Sequence, residues 1–207
     1  MLTPDFQKRI ADFLEKCRDN GEKPLLVLLG PTASGKTALS LKIAHEFNCE
    51  IISADSRQFY KEMSIGTARP GISEMCGIPH HFMGFISIHE NYNAGKFESD
   101  ALQFLGKYFT RKDTALLVGG SGLYVNAVCE GFDNIPPSDR PTREKILSDL
   151  NENGLEFLLD KLKSLDRKFY ETVDKKNPHR IVRALEVCLV SGLPYSSYRK
   201  RSGEKGR

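Results

Sequence analysis

Residues 24–37, "PLLVLLGPTASGKT", constrain this chain more than any other stretch. An unbroken apolar run leads straight into Gly30-Pro31-Thr32-Ala33-Ser34-Gly35-Lys36-Thr37, which satisfies G-x-x-x-x-G-K-[ST] at every fixed position. Short, wholly apolar runs belong to strands buried in a parallel sheet. The glycine-rich segment predicts a loop whose backbone N–H groups wrap a phosphate, with Lys36 adding a point charge and the Thr37 hydroxyl placed to ligate Mg2+. The helix expected next, over "TALSLKIAHEF", aims its N-terminal N–H groups at the same anion. Residues Gly30 to Thr37 are therefore the candidate diphosphate or nucleotide site.

The same grammar recurs downstream. "EIISA" (50–54) is a second apolar run, with Asp55-Ser56-Arg57-Gln58 at its end. Residues 61–81 are rich in Gly and Pro and read as loop, and "HFMGFI" reads as an edge strand. Residues 97–109 repeat apolar side chains at helical spacing, "TALLVGGSG" (114–122) is another buried strand, and "LYVNAVCEG" a short helix. Ahead of them all, Thr3-Pro4 starts an amphipathic helix over 3–17 with a stripe of Phe6, Ile10, Phe13, Leu14 and Cys17. Strands alternating with helices define an α/β fold, a P-loop NTPase-like parallel sheet flanked by helices. Ligands in such sheets bind at the carboxyl ends of the strands, where the loop at 30–37, Asp55 to Gln58 and Gly119-Gly120-Ser121 all stand.

Beyond "DNIPPSDRP" the pattern is helical only. Residues 141–174 are expected to form a small all-helical insertion, bounded at about 134–176. Asn177-Pro178 then opens a helix with an apolar stripe of Ile181, Leu185, Cys188 and Leu189, ending at Gly192 with Pro194 beyond. The expected division is a core of residues 1–133 and 177–200, the insertion, and a polar, disordered tail at 201–207.

Charge separates the two regions. Residues 1–138 carry 14 Lys and Arg against 16 Asp and Glu, whereas residues 139–207 carry 16 against 11. A basic back half suits either a polyanion or an ordinary solvated helical surface. No run of eighteen apolar residues exists, and the charged first twenty residues lack the apolar core of a signal peptide. Five scattered cysteines without a C-x-x-C pair fit a reducing cytosol and neither a disulfide framework nor a zinc site. A cytoplasmic monomer without membrane attachment is expected.

The usual companions of a nucleotide-hydrolysing loop are missing. ATPases and GTPases hold Mg2+ with an Asp at the end of a second apolar strand, but "TALLV" ends in Gly119-Gly120-Ser121, and no N-K-x-D guanine reader occurs. The nearest acid is Asp55, suited to Mg2+, to general-base work, or simply to an Asx turn or helix cap. His80-His81 could pass for a metal pair, but neighbours on an extended segment face opposite ways and no acid or Cys cluster completes a site, so a structural role is expected. The aromatics at 104–109 are expected in the core.

Taken together, "GPTASGKT", "ISADSRQFY", "IGTARP", "HHF", "GGSGLYV" and "NPHRIVRALEV" resemble, in order and spacing, the bacterial tRNA dimethylallyltransferases, over residues 25–200. The resemblance implies transfer of a dimethylallyl group from dimethylallyl diphosphate to N6 of an adenine beside the anticodon of tRNA, with Mg2+. It implies that Gly30 to Thr37 hold the diphosphate and that Asp55 is the general base, with Lys36, Ser121 and Arg183 also catalytic. Ser121 stands where many relatives carry Thr. It further implies tRNA contacts from Asp55, Ser56, Arg57, Gln58, Ser121, Arg143, His179, Arg180, Ile181, Val182 and Arg183. The helix before the first strand is one that many relatives lack, and the sequence stops short of the usual family length, before helices that would complete the tRNA channel. Phosphotransfer by a small-molecule kinase and prenylation of free adenine nucleotides are the competing functions.

Overall fold

The computed structural model describes residues 3–31, 33–120, 122–131 and 135–198. Its chain divides into two compact units, Met1–Gly131 and Phe132–Gly206. The first is built on a parallel sheet of β1 (Leu25–Leu29), β2 (Ile51–Ser53), β3 (His80–His81) and β4 (Ala115–Gly119), in the spatial order β1-β4-β2-β3. Helices α1 (Pro4–Asp19), α2 (Lys36–Glu46), α3 (Ala94–Tyr108) and α4 (Gly122–Glu130) connect and cover it.

Alternation along the strands sorts the core onto two faces. Ile52 and Leu117 join Phe59, Phe97, Tyr108 and Val125 beneath α3 and α4. Ile51 and Leu116 join Ile43 and Ala44 of α2 on the other face. Phe59 centres an aromatic cluster, stacked on Phe97 at 5.2 Å and edge-on to Phe85, Tyr92 and Tyr124. Tyr108 is fully buried; its hydroxyl donates to Thr114 O at 2.8 Å and accepts from Glu50 N at 3.1 Å. The 104–109 aromatics are core, as expected.

Three expectations shift. The β1 run reads as doubly buried, yet β1 pairs on one side only, with β4, and leaves Val27 44% and Leu29 53% exposed. Among the described residues nothing pairs with its other edge. The α1 stripe is buried only at Leu14 and Cys17, with Phe6 and Phe13 exposed. The edge strand at 81–86 shortens to His80–His81, because Phe82 and Gly84 take left-handed backbone that breaks extended pairing.

The second unit is all-helical among the described residues: α5 (Arg140–Leu165), α6 (Arg167–Thr172), α7 (Pro178–Ser191) and α8 (Tyr195–Tyr198). Gly154, at φ 80° and ψ 178°, breaks α5 into two helical stretches. Asp139, Asp166 and Asn177 cap α5, α6 and α7 by accepting from the N–H groups of Thr142, Phe169 and Arg180. Gly192 closes α7 in the left-handed region, as the sequence implies. Ile146, Leu158 and Leu162 pack with Ile181, Val182 and Leu185 in one core. Ile181, Val182, Ala184 and Leu185 of α7 pack in the α5 core, and α7 falls within the helical unit, whereas the sequence-based division placed 177–200 with the sheet. Residues 199–207, including the expected tail, lie outside the described residues.

Candidate active site at the phosphate loop

The loop leaves β1 and enters α2 through two residues of positive φ, Ala33 at 64° and Gly35 at 82°. Gly35 is the N-cap of α2, and no side chain caps that helix. Ser34 N donates to Pro31 O at 3.4 Å, and Lys36 Nζ reaches back to donate to the same carbonyl. The ammonium is thus folded across the loop, and a diphosphate would compete for it with a single carbonyl. Thr32 lies outside the described residues.

A cleft at the carboxyl ends of the strands joins Lys36 and Thr37 to Ser53, Asp55, Gln58, His80, Gly119 and Gly120. Asp55 follows β2 directly. Its Oδ1 accepts from Arg57 N at 3.0 Å, so the Asx turn is realised. That turn uses one oxygen; among the described residues no hydrogen bond reaches Oδ2, which lies on the Gly120 side of the cleft. The carboxylate is aimed by its own backbone and keeps an oxygen that no described residue bonds.

Gly119, the last residue of β4, explains why no acid stands at that position. A Cβ at Gly119 would sit 2.9 Å from Ala54 O and 3.0 Å from Ala54 Cβ, so no side chain fits there. At Gly120 a Cβ would stand 3.5 Å from Gly30 O and 4.0 Å from Asp55 Oδ2, within ordinary contact. Close approach of β2 and β4 thus moves the acid of this cleft to the end of β2.

The other expected residues have distinct fates. Gln58 is buried, with Oε1 accepting from Ser53 Oγ at 2.9 Å and Nε2 donating to Thr67 O and Ala68 O, each at 3.2 Å. Its amide ties the 61–70 loop to β2 and has no donor left for a base. Ser56 is half-buried and Arg57 exposed. Ser121 lies outside the described residues. His80 and His81 diverge as expected: His81 Nε2 meets Glu50 Oε2 at 2.6 Å, and His80 Nδ1 meets Ile78 O at 2.8 Å. His80 also lines the cleft, which its bland sequence reading missed, and burial holds its pKa below the usual 6.5. No group of three or more His, Cys, Asp or Glu that could hold a metal exists among the described residues.

The basic residues of the helical unit form their own constellation. His179 and Arg180 are exposed, but Ile181 and Val182 are buried in the α5–α7 core, so their side chains serve packing. Arg143 Nη1 donates to Glu186 Oε2 at 3.3 Å, and Arg183 Nη1 donates to the same oxygen at 3.0 Å. Arg183 Nη2 also donates to Pro136 O at 2.6 Å. Glu186 Oε1 accepts from Ser138 Oγ and from Asp139 N. Burial pushes the Glu186 pKa up, but the hydrogen bonds from Ser138, Arg183 and Asp139 outweigh it and hold the carboxyl below its ordinary value. Sequence reasoning passed over Glu186; the signal was a lone acid between Leu185 and Val187 in an apolar helix.

A parallel sheet whose first strand feeds a glycine-rich loop, with a carboxylate at the end of the second beside that loop, defines a P-loop α/β protein. The sequence profile of the IPP transferase family matches residues 58–207, and the chain belongs to that family. It is 49% identical over 174 residues to the tRNA dimethylallyltransferase of Christiangramia forsetii, covering 84% of this chain and 58% of that one. It is 43% identical over 178 residues to tRNA dimethylallyltransferase 1 of Phocaeicola vulgatus, covering 86% and 59%. Among solved structures it resembles the full-length tRNA isopentenylpyrophosphate transferase of Bacillus halodurans, at 36% identity and a TM-score of 0.54 over 84% of this chain and 58% of that one. It also resembles a eukaryotic dimethylallyltransferase captured acting on tRNA, at 25% identity and a TM-score of 0.73 over 90% and 46%. These structures bear out the P-loop NTPase-like sheet expected from the sequence. The chain spans about 58% of the length of the curated relatives it matches.

Proposed function

We propose that this chain carries the donor-binding and catalytic half of a tRNA dimethylallyltransferase, acting on an adenine N6 beside the anticodon. The observation that carries the reading is the Asp55 carboxylate, fixed by its Asx turn at the end of β2 and lining the same cleft as Lys36. The names of the similar proteins supply the substrate class.

The reaction balances on this chain's own groups. N6 attacks C1 of the dimethylallyl chain, the C1–O bond breaks, diphosphate leaves, and Asp55 accepts the N6 proton. The adenine amine is a weak nucleophile because its lone pair is delocalised into the ring, so a base beside it matters. The loop amides and Lys36 neutralise charge growing on the departing diphosphate. An adenine in a single-stranded loop leaves its stack at little cost. The Thr37 hydroxyl, an oxygen donor in the cleft, suits a hard cation that takes substrate oxygens and water as its other ligands, as Mg2+ prefers. Thr37 would hold Mg2+, which when bound supplies positive charge to the diphosphate. Five unpaired cysteines, three of them buried, support a reducing compartment, the cytoplasm, and we read the chain as a monomer there. No helix among the described residues is long and apolar enough to cross a membrane.

The test is incubation with labelled dimethylallyl diphosphate and Mg2+, together with an anticodon stem-loop, AMP, or no acceptor. Label on the stem-loop alone is expected. Label on AMP, or none anywhere despite donor binding, overturns the reading for this chain. Asp55→Ala should abolish transfer and spare donor binding; loss of donor binding would instead make Asp55 a metal or structural residue.

A further inference from the structure

Glu186 is the feature of the helical unit that the proposed chemistry leaves unused. Its side chain is 1% exposed, whereas those of Arg143 and Arg183 are 38% and 31% exposed. The carboxylate comes from α7, Arg143 from the first turn of α5, and Ser138 and Asp139 from the segment leading into α5. One buried acid therefore pins two arginines on different helices and the start of α5 together. The two guanidinium groups share one Glu186 oxygen, and their remaining donors lie on the exposed side of the arginines. Each guanidinium has five N–H donors. The hydrogen bonds to Glu186 and Pro136 use one of them on Arg143 and two on Arg183. The cluster therefore holds spare guanidinium donors at the surface.

We propose that Glu186 is a positioning residue for RNA binding: it holds Arg143 and Arg183 side by side so that their free donors grip one backbone phosphate of the RNA. Fixed forks match phosphate geometry in a way that loose arginines do not. The proposal rests on the tRNA reading above and adds to it the group that orients the two arginines.

Charge and positioning predict opposite signs for Glu186→Gln. Removing a negative charge should tighten RNA binding if charge alone matters. Loss of positioning should weaken it. With the full chain and an anticodon stem-loop, read by fluorescence anisotropy across a salt series below the unfolding temperature, we expect Glu186→Gln to raise Kd roughly tenfold and to flatten the log Kd against log salt slope by about one. In an Arg143→Ala/Arg183→Ala background the same Glu186→Gln change should have no further effect on Kd. Arg183→Lys, which keeps the charge and loses the fork, should weaken binding several-fold in a protein whose helical content is unchanged, and this variant serves if Glu186→Gln does not fold. Equal or tighter binding by Glu186→Gln, or an unchanged Kd for Arg183→Lys, overturns the positioning role while leaving the tRNA reading standing. Failure of the unaltered chain to bind the stem-loop overturns the tRNA reading and the proposal together.

Discussion

The α/β unit and the helical unit hold their charged groups by opposite means. Lys36 and Asp55 are placed by backbone: a loop that turns through positive φ at Ala33 and Gly35, and an Asx turn at the end of β2. Arg143 and Arg183 are placed by another side chain, the buried carboxylate of Glu186. Backbone placement leaves the functional atoms nearly free, with Asp55 giving up one oxygen and Lys36 resting on a carbonyl. Side-chain placement occupies some donors and puts an ion cluster inside the fold, where losing one partner is costly. The first arrangement favours chemistry on a small substrate; the second favours a fixed charge surface.

The sharpest break in that comparison comes from Lys36→Ala. If the loop backbone carries the fold locally and Lys36 carries the charge, transfer should fall about 10³-fold with the unfolding temperature unchanged. Labelled-donor turnover and thermal melts check both halves. Glu186→Ala should do the reverse, costing about 3 kcal/mol of stability, near the low end for a broken buried pair because both arginines keep contact with water. Hydrogen exchange should report loss of protection in α5 and α7 with β2 and β4 still protected; uniform loss would erase the distinction between the units. Tyr108→Phe strands Glu50 N–H and Thr114 O inside the α/β unit. It should cost about 1–2 kcal/mol in denaturant unfolding with RNA binding intact.

Acid titration is the mildest probe and separates the units by pH window. His80 is held below 6.5, so the unfolded chain binds its proton first, and the α/β unit should weaken as pH falls below 6.5. Glu186 and Asp139 are held below their ordinary 4.5 and 3.8. The stability they contribute is present above those values and is lost only as pH falls through the lower, folded ones. In melts across pH 7.5 to 3.5, His80→Gln should remove the earlier step and leave the later one.

The sequence displayed what backbone geometry dictates. Gly35, Lys36 and the apolar run before them announce strand, loop and helix, because positive φ and phosphate contact demand those residue types at those spacings. Asp55 was legible as a strand-end acid suited to Mg2+, to base work or to a turn, and the structure shows the turn, which occupies one oxygen. Tertiary pairing was not legible. Nothing local says that Gln58 spends its amide on Thr67 and Ala68, or that Glu186 gathers Arg143 from 43 residues upstream. Apolar pattern also overstated burial: the run from Leu25 to Leu29 is that of an interior strand, yet its neighbour on one side is missing among the described residues. Ile181 and Val182 show the converse, since a motif matched to RNA contact contains two residues whose side chains face the core.

Gly119 bears on the evolutionary freedom of this cleft. On paper, the acid that nucleotide hydrolases carry at the end of such a strand differs from Gly119 by one short side chain. Physically it is much farther, because the carbonyl of Ala54 fills the space that its Cβ would need. An acid at position 119 therefore requires β2 and β4 to part at their ends before the new side chain can be accommodated. The sheet itself thus holds position 119 to glycine, whatever selection acts on the substrates.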